Sequence, residues 1–468
     1  MKIIIVGCGK VGYTLADTLS GENHDVTVID NNQEKLDRLA NELDVAAVAG
    51  NGASYRVLQE AGVEDCEVLI AATSQDEVNM LCCLIARKAG QCKTIARVRD
   101  PNYYSEIGFI QEELGLSLAI NPELNAAVAC YQLVRAPFAM EMDTFASGKV
   151  EMITFDLPDN SPWIGKSLME ITQSSRNPLL IAIVTRRHKA IIPNGSTVME
   201  RGDRLSLMLD TQYLRATLES IGVRVRPIRT VVIAGGGNVG YYLAKRLCET
   251  TRLKITIIEP NRARCDTLND LLPKVNVIYG DPCSESLLME EGIDEADAFC
   301  SLLGNDSENI MLSLFVSKVS NAKVITRINK MSMSGVINEL PLGAIVSPKA
   351  LTAEHILRYV RAMGNSAGSS SMEAVYRLAS DQVEALSFTV ESASAATGRR
   401  LMDLHTRSGI LVCAAIRDGK ATIPSGQDMI LPGDQVVIVT TRRGICDVTD
   451  ILSRGAGGGG GTASRRQR

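Results

Sequence analysis

Two stretches of this 468-residue chain run from an apolar, strand-length segment through a glycine turn into a helical pattern. In the first, KIIIV leads into Gly7-Cys8-Gly9-Lys10-Val11-Gly12 and then YTLADTLS; in the second, TVVIA leads into Gly235-Gly236-Gly237-Asn238-Val239-Gly240 and then YYLAKRL. A strand, a turn with spaced glycines and a helix make the phosphate-binding corner of a doubly wound α/β sheet. The first glycine allows the tight turn, the next lets the backbone approach a pyrophosphate, and the last lets the helix pack on the strand. The helix start then offers unpaired N–H groups and a partial positive charge to phosphates. The following strand ends in an acid each time, Asp30 lying 23 residues beyond Gly7 and Glu259 lying 24 beyond Gly235. That is near the spacing of an acid that binds ribose hydroxyls, and a carboxylate there repels a 2′-phosphate. NAD-type ligands or adenosine nucleotides are therefore favoured over NADP.

The two stretches belong to a longer duplication. The offset between halves is 228 for the first glycines, 229 for the acids, and 230 both for Asn79 and Asn309 (DEVNML, DSENIML) and for Arg97 and Arg327 (TIARVR, VITRIN). A drift of two residues marks two similar modules in tandem. Within each, strand-like and helical segments alternate, which predicts a parallel sheet. Ligands of such sheets lie at the carboxyl ends of the strands, which brings Asn51, Thr73, Ser74 and Arg97 to the first glycine turn. Each has a plainer reading: Asn51, Thr73 and Ser74 as helix caps, Arg97 as a solvated strand end. Lys10 either adds charge toward phosphate or faces solvent. In the second half Asp281 replaces Asn51, Leu303 and Gly304 replace Thr73 and Ser74, and Asn238 replaces Lys10. Its crevice is expected to take a different nucleotide or to bind more weakly. Arg262 reads as a phosphate partner or as decoration of its helix.

After each sheet comes a proline-started helix, Asn121-Pro122-Glu123 and Ser347-Pro348-Lys349, with a side chain placed to cap and proline in the first turn. Two smaller units follow, with matching turns at Pro193-Asn194-Gly195 and Pro424-Ser425-Gly426 and at Gly202-Asp203 and Gly433-Asp434. The basic stretch 185–189 reads as a hairpin end or as an anion or partner contact. The expected organisation is α/β: two Rossmann-like doubly wound parallel-sheet domains at 1–138 and 228–362, each followed by a small α+β domain, at 139–222 and 383–455. Residues 363–382 are expected as a linker and the glycine-rich 456–468 as a disordered tail.

Composition narrows the function classes. A formal net charge of −5 gives no electrostatic motive for gripping nucleic acid. No apolar run approaches the ~20 residues of a membrane helix, and Met1-Lys2-Ile3 enters a strand pattern directly, so a soluble, cytosolic chain is expected. The 12 cysteines include no Cys-x-x-Cys pair and read as small buried hydrophobes, with no metal site. Hydride transfer needs a positioned acid or base, and His24, His188, His355 and His405 share no partner evident in the sequence. The chain is expected not to be an enzyme, the nucleotide serving as a signal. The rival readings are an NAD-dependent oxidoreductase and a nucleotide sensor for a different ion transporter.

The segments MKIIIVGCGKVGYTLA, GNGASYRVLQEAG, AATSQDEVNML and IARVRDPNY, with VVIAGGGNVG, GDP, NDSENIM and SP in the second half, closely resemble the TrkA family of potassium-uptake regulatory proteins. The match covers about 1–455, and the family's repeats are called KTN or RCK modules. The resemblance implies nucleotide contacts at Gly7 to Val11, Asp30, Thr73, Ser74 and Arg97, then at Gly235 to Val239 and Glu259. It also implies NAD(H) as ligand, with ATP or ADP as further ligands. The partner it implies is a Trk- or Ktr-type potassium-translocating membrane subunit (TrkH, TrkG or KtrB-like), with the chain peripheral on the inner face of the membrane. Rings of this family hold eight modules, so two per chain imply a homotetramer.

Overall fold

In the computed structural model the segment Lys2–Val6 is a strand with Ile3, Ile4, Ile5 and Val6 all buried, as befits a strand covered on both faces. Helices supply the cover, because parallel neighbours must be joined by crossovers. The first module's strands, Lys2–Val6, Asp25–Asp30, Ala46–Ala49, Val68–Ala71, Lys93–Arg97 and Leu118–Ile120, lie in the order 3-2-1-4-5-6, all parallel. The second module repeats order and direction with Thr230–Ala234, Lys254–Glu259, Asn276–Tyr279, Ala298–Ser301, Lys323–Arg327 and Ala344–Val346. In each, the order reverses between the first and fourth strands, which opens a crevice at their carboxyl ends. The structure describes residues 1–22, 24–146, 149–175, 179–209, 213–223, 226–329, 337, 340–363, 370–379, 382–445 and 447–453. Cys82, Cys83 and Cys92 sit in the first module's core beside Ile4, Leu69 and Ala96, and burial pushes the Cys82 thiol up to about 12.

The helix Pro122–Arg135 starts as its sequence predicts, with Asn121 Oδ1 accepting from Leu124 N at 2.9 Å and proline in the first turn. It follows the first module's last strand but packs on the second module, against the helix Asn238–Thr250 and the strands Lys323–Arg327 and Ala344–Val346. Tyr131 on this helix lies under the guanidinium of Arg246 at 4.9 Å. Lys323 donates from Nζ to the Ala139 carbonyl. The two modules consequently form one compact unit, Met1–Glu141 with Val225–Val360.

The second unit, Met142–Arg224 with Arg361–Arg468, holds two five-stranded sheets of one topology. The first orders its strands Glu141–Phe145, Val150–Asp156, Arg204–Leu209, Leu179–Arg186 and Lys189–Ile191 from edge to edge. The second orders Ser370–Leu378, Val383–Val390, Gln435–Thr440, Ile410–Arg417 and Lys420–Thr422 in the same way. Within the stretch 363–382, expected as a linker, Ser370–Leu378 is a strand, paired antiparallel with Val383–Val390 from Ser370↔Val390 to Leu378↔Val383. Its buried Met372, Val375 and Leu378 follow a serine- and glycine-rich stretch, which hides the strand in the sequence. The two small domains share one core, with Phe145, Met152 and Ile183 meeting Tyr376, Val437 and Val439. The Phe145 and Tyr376 rings meet edge-on with centroids 4.4 Å apart. The expected disordered tail, 456–468, lies outside the described residues. Among the described residues, no helix is long and apolar enough to cross a membrane, and no group of His, Cys, Asp and Glu could hold a metal ion.

Candidate functional site

The first crevice is a cavity of about 430 Å³ at the carboxyl ends of the first and fourth strands. Gly7, Gly9, Asp30, Asn51, Thr73, Ser74 and Arg97 all line it, so the structure brings together residues that span 90 positions of sequence. Gly7 has φ +104°, where an L side chain is strained, and its N–H bonds Ile29 O at 2.7 Å. A Cβ on Gly12 would stand 1.8 Å from the Gly7 carbonyl oxygen, so the helix can sit this close to the turn only with glycine there. Gly9 is different: a Cβ added to it meets nothing within 4 Å, because it faces the opening. It precedes the helix Lys10–Gly21 and supplies no side-chain cap, leaving the first N–H groups for a ligand.

Four residues of the motif stand outside the cavity wall. Cys8, Val11 and Gly12 are buried on the core side, and Lys10 is exposed at the helix start. None of the four lines the cavity, so what the turn offers a ligand at these positions is backbone N–H. Asp30 accepts from Cys8 N at 2.6 Å and from Asn32 N at 2.9 Å, which ties the acid to the turn while a carboxylate keeps further lone pairs for ribose hydroxyls. Burial and the neighbouring Asp30 raise the Cys8 thiol above its ordinary value, which keeps it neutral.

The cap readings of Thr73, Ser74 and Asn51 give way to other roles. The helix Asp76–Ala89 begins after Gln75 without a side-chain cap. Thr73 instead donates from Oγ1 to Asn79 Oδ1 at 2.7 Å, Ser74 is exposed at the rim, and Asn51 accepts from Ala53 N at 3.0 Å in a turn. Arg97 is half-buried and donates to the Thr73 carbonyl at 3.3 Å. Burial, reinforced by Arg99, lowers its guanidinium from the ordinary value, and its Nε has no hydrogen-bond partner among the described residues. A buried donor without a partner beside an open crevice fits an anionic ligand.

The sequence passed over Asn79 as a site residue, although its constant offset to Asn309 was the available signal. Asn79 Nδ2 donates to Arg97 O at 2.9 Å while Oδ1 accepts from Thr73 N at 2.8 Å, clamping the ends of the fourth and fifth strands. Asn309 does the same between Leu303 N at 2.9 Å and Arg327 O at 3.0 Å.

The second crevice keeps the frame and changes the lining. Gly235 has φ +102°, and a Cβ on Gly240 would stand 2.2 Å from the Gly235 carbonyl oxygen. Glu259 accepts from Gly236 N at 2.7 Å and Asn261 N at 3.0 Å, as Asp30 does. Gly237 faces open space, Val239 is buried, Asn238 is half-buried at the helix start, and Asp281 accepts from Cys283 N in a turn. Two features have no counterpart in the first module. Leu303 reaches over the glycine turn, its Cδ2 3.1 Å from a Cβ placed on Gly235. Arg264, equivalent to Lys35, donates from Nε to Gly236 O at 2.8 Å and fixes a positive charge on the turn. Arg262 lies over the Tyr279 ring at 5.6 Å.

The TrkA-N domain family matches residues 3–122 and 231–348, and the TrkA-C domain family matches 152–222 and 385–453. A Trk system potassium uptake protein TrkA from Halomonas elongata is 33% identical over 97% of this chain and 99% of its own length. The chain belongs to the TrkA family. A second TrkA, from Vibrio alginolyticus, is 30% identical over 96% of this chain and 98% of its own. Among solved structures, the GsuK channel bound to NAD shares the fold with a TM-score of 0.61 at 20% identity, over 94% of this TrkA-family chain and 76% of that one. The GsuK RCK domain alone gives 0.60 over 94% and 92%. The duplicated sheet and small-domain pairs therefore match both the TrkA sequence pattern and the RCK fold.

Proposed function

We propose that this TrkA-family chain is the cytosolic regulatory subunit of a Trk- or Ktr-type potassium-uptake system. Its first crevice binds NAD(H), with ATP or ADP as further ligands, and the bound state changes transport by changing the shape of the chain. The observation that carries the reading is the open cavity bounded by Gly9, Asp30 and Arg97. The helix start and Arg97 would hold phosphates, and Asp30 would take ribose hydroxyls. The nucleotide supplies charge and binding energy at this site, with no reacting step assigned to any residue. A ligand shifts two shapes only if it binds them unequally, and a coupling of ~1 to 3 kcal/mol gives a 5- to 150-fold bias.

That the relatives are Trk system potassium uptake proteins supports a potassium-translocating membrane subunit as partner. Self-association into a homotetrameric ring of eight modules is supported by apolar side chains left exposed on the modules' helices: Leu81 at 45%, Met311 at 66% and Phe109 at 67%. Leu81 and Met311 are repeat equivalents at the offset of 230. Calorimetry with NADH tests the site: Gly9→Asp adds a carboxylate at a position whose Cβ meets nothing within 4 Å, and a loss of about 100-fold is expected from charge repulsion and lost space. Unchanged affinity in Gly9→Asp would overturn the reading. Potassium flux through a co-purified membrane subunit, with and without NADH, tests the regulatory role; turnover of NADH with a small substrate would favour an oxidoreductase instead.

A further inference from the structure

Asn121 is fully buried, and all three of its amide hydrogen bonds are accounted for. Its Oδ1 accepts from Leu124 N at 2.9 Å, which caps the helix Pro122–Arg135. Its Nδ2 donates to Arg99 O at 3.4 Å in the first module and to Tyr242 Oη at 3.2 Å in the second. A buried amide that loses either acceptor has no water to replace it, so the two acceptors are held to a common point.

Each acceptor leads to a crevice. Arg99 lies two residues beyond Arg97, and its Nη2 donates to the carbonyl of Ser74, which lines the first cavity. Asp76, buried at the start of the helix Asp76–Ala89, holds the same stretch by accepting from Arg99 N at 2.7 Å and Asp100 N at 2.8 Å. Tyr242 stands on the helix Asn238–Thr250, which begins at the second glycine turn directly after Gly237. Burial pushes its phenol up to about 12, so the hydroxyl stays neutral. The mirror-image bridge is not made among the described residues. Thr14, the repeat equivalent of Tyr242, donates to Lys10 O at 3.0 Å within its own helix, and Ser347, the equivalent of Asn121, accepts from Ala350 N at 3.4 Å. The tie thus joins the rim of the first crevice to the helix of the second, without a reverse copy.

We propose that Asn121 and Tyr242 are positioning residues through which a nucleotide in the first crevice orders the helix that heads the second. A ligand held by Arg97 and the first helix start fixes the ends of the fourth and fifth strands, and with them the Arg99 carbonyl. The Asn121 amide stays on that carbonyl and keeps the Tyr242 hydroxyl in place, so the helix Asn238–Thr250 opens less often. Coupling of this kind is reciprocal: a ligand that orders the same helix from the second crevice tightens binding in the first. The inference rests on nucleotide binding in the first crevice.

The test uses the full-length chain with Gly237→Asp closing the second crevice, NADH as the probe, calorimetry for affinity and hydrogen exchange over 241–250 for transmission. In that background NADH is expected to slow exchange over 241–250 by about 5-fold. Tyr242→Phe keeps the ring and removes the acceptor; Asn121→Ser keeps a cap of the kind Ser347 provides and removes both N–H donors. Each is expected to bind NADH with affinity of the same order and to lose the slowing. A change that only loosened the fold would speed exchange with and without NADH and leave the ratio between the two states intact. If Tyr242→Phe keeps the full slowing, or if the chain with both residues intact binds NADH without slowing, the bridge is wrong while the nucleotide site stands. If that chain binds no NADH, the nucleotide reading and the bridge fall together.

Discussion

At the scale of single residues, the two crevices differ by an exchange of volume. The first pairs Cys8 with Asp30; the second pairs Gly236 with the longer Glu259, and both acids grip the turn N–H at 2.6 and 2.7 Å. Gly236 must lack a side chain because a Cβ there would stand 2.5 Å from Leu268 Cδ1 and 3.2 Å from Glu259 Oε2. Restoring the first module's residue with Gly236→Cys is expected to cost about 1 to 3 kcal/mol of stability by overpacking, read from urea unfolding. Gly236→Cys combined with Glu259→Asp should recover part of that loss. The glycines and acids were legible in the sequence through their spacing. The exchange was not, because the obstacle, Leu268, stands 32 residues away and meets the turn only after folding.

At the scale of elements, the asparagine clamp decides how rigidly strand ends present the crevice. Asn309 is fully buried and satisfies Leu303 N, Leu303 O, Arg327 O and the Ser301 hydroxyl at 2.8 Å. Asn309→Ala strands these groups and is expected to lower the melting free energy by about 3 kcal/mol, measured by thermal unfolding. In the small domains, Arg417 pairs with the buried Asp434 at 2.7 Å, as Arg186 does with Asp203 at 2.8 Å. Burial pushes the Asp434 carboxyl up, and the Arg417 and Leu431 N–H bonds outweigh it, holding the group below its ordinary range. A depressed carboxyl contributes stability above its unfolded pKa and loses it as pH falls through the folded value. The melting temperature should therefore drop between about pH 5 and pH 3, and Asp434→Asn should flatten that limb; the half-exposed Arg417 keeps the effect modest through solvent screening. The turn chemistry at Gly433-Asp434 was legible, but the ion pair was not, since 17 residues and a hairpin separate its partners.

At the scale of the whole molecule, the duplication was legible from offsets alone, and it foretold two sheets of one strand order. It did not foretell that like would pack with like. Both small domains contribute to one cluster around Phe145, Tyr376 and Val437, so each leaves an apolar face uncovered on its own. A fragment carrying only 370–453 is expected to unfold or aggregate, while the same fragment mixed with 142–222 should give a cooperative melt. A stable, monomeric 370–453 would refute the shared core.

The tandem build also separates what two-fold copies of a single module would have to change together. A substitution in a self-associating module appears on both sides of its own dyad; here a codon altered at Lys349 or Leu303 leaves Glu123 and Thr73 as they were. One gene can thus tune a pair of pockets independently, and the unlike linings seen on the two sides are the kind of drift that such an arrangement lets selection keep.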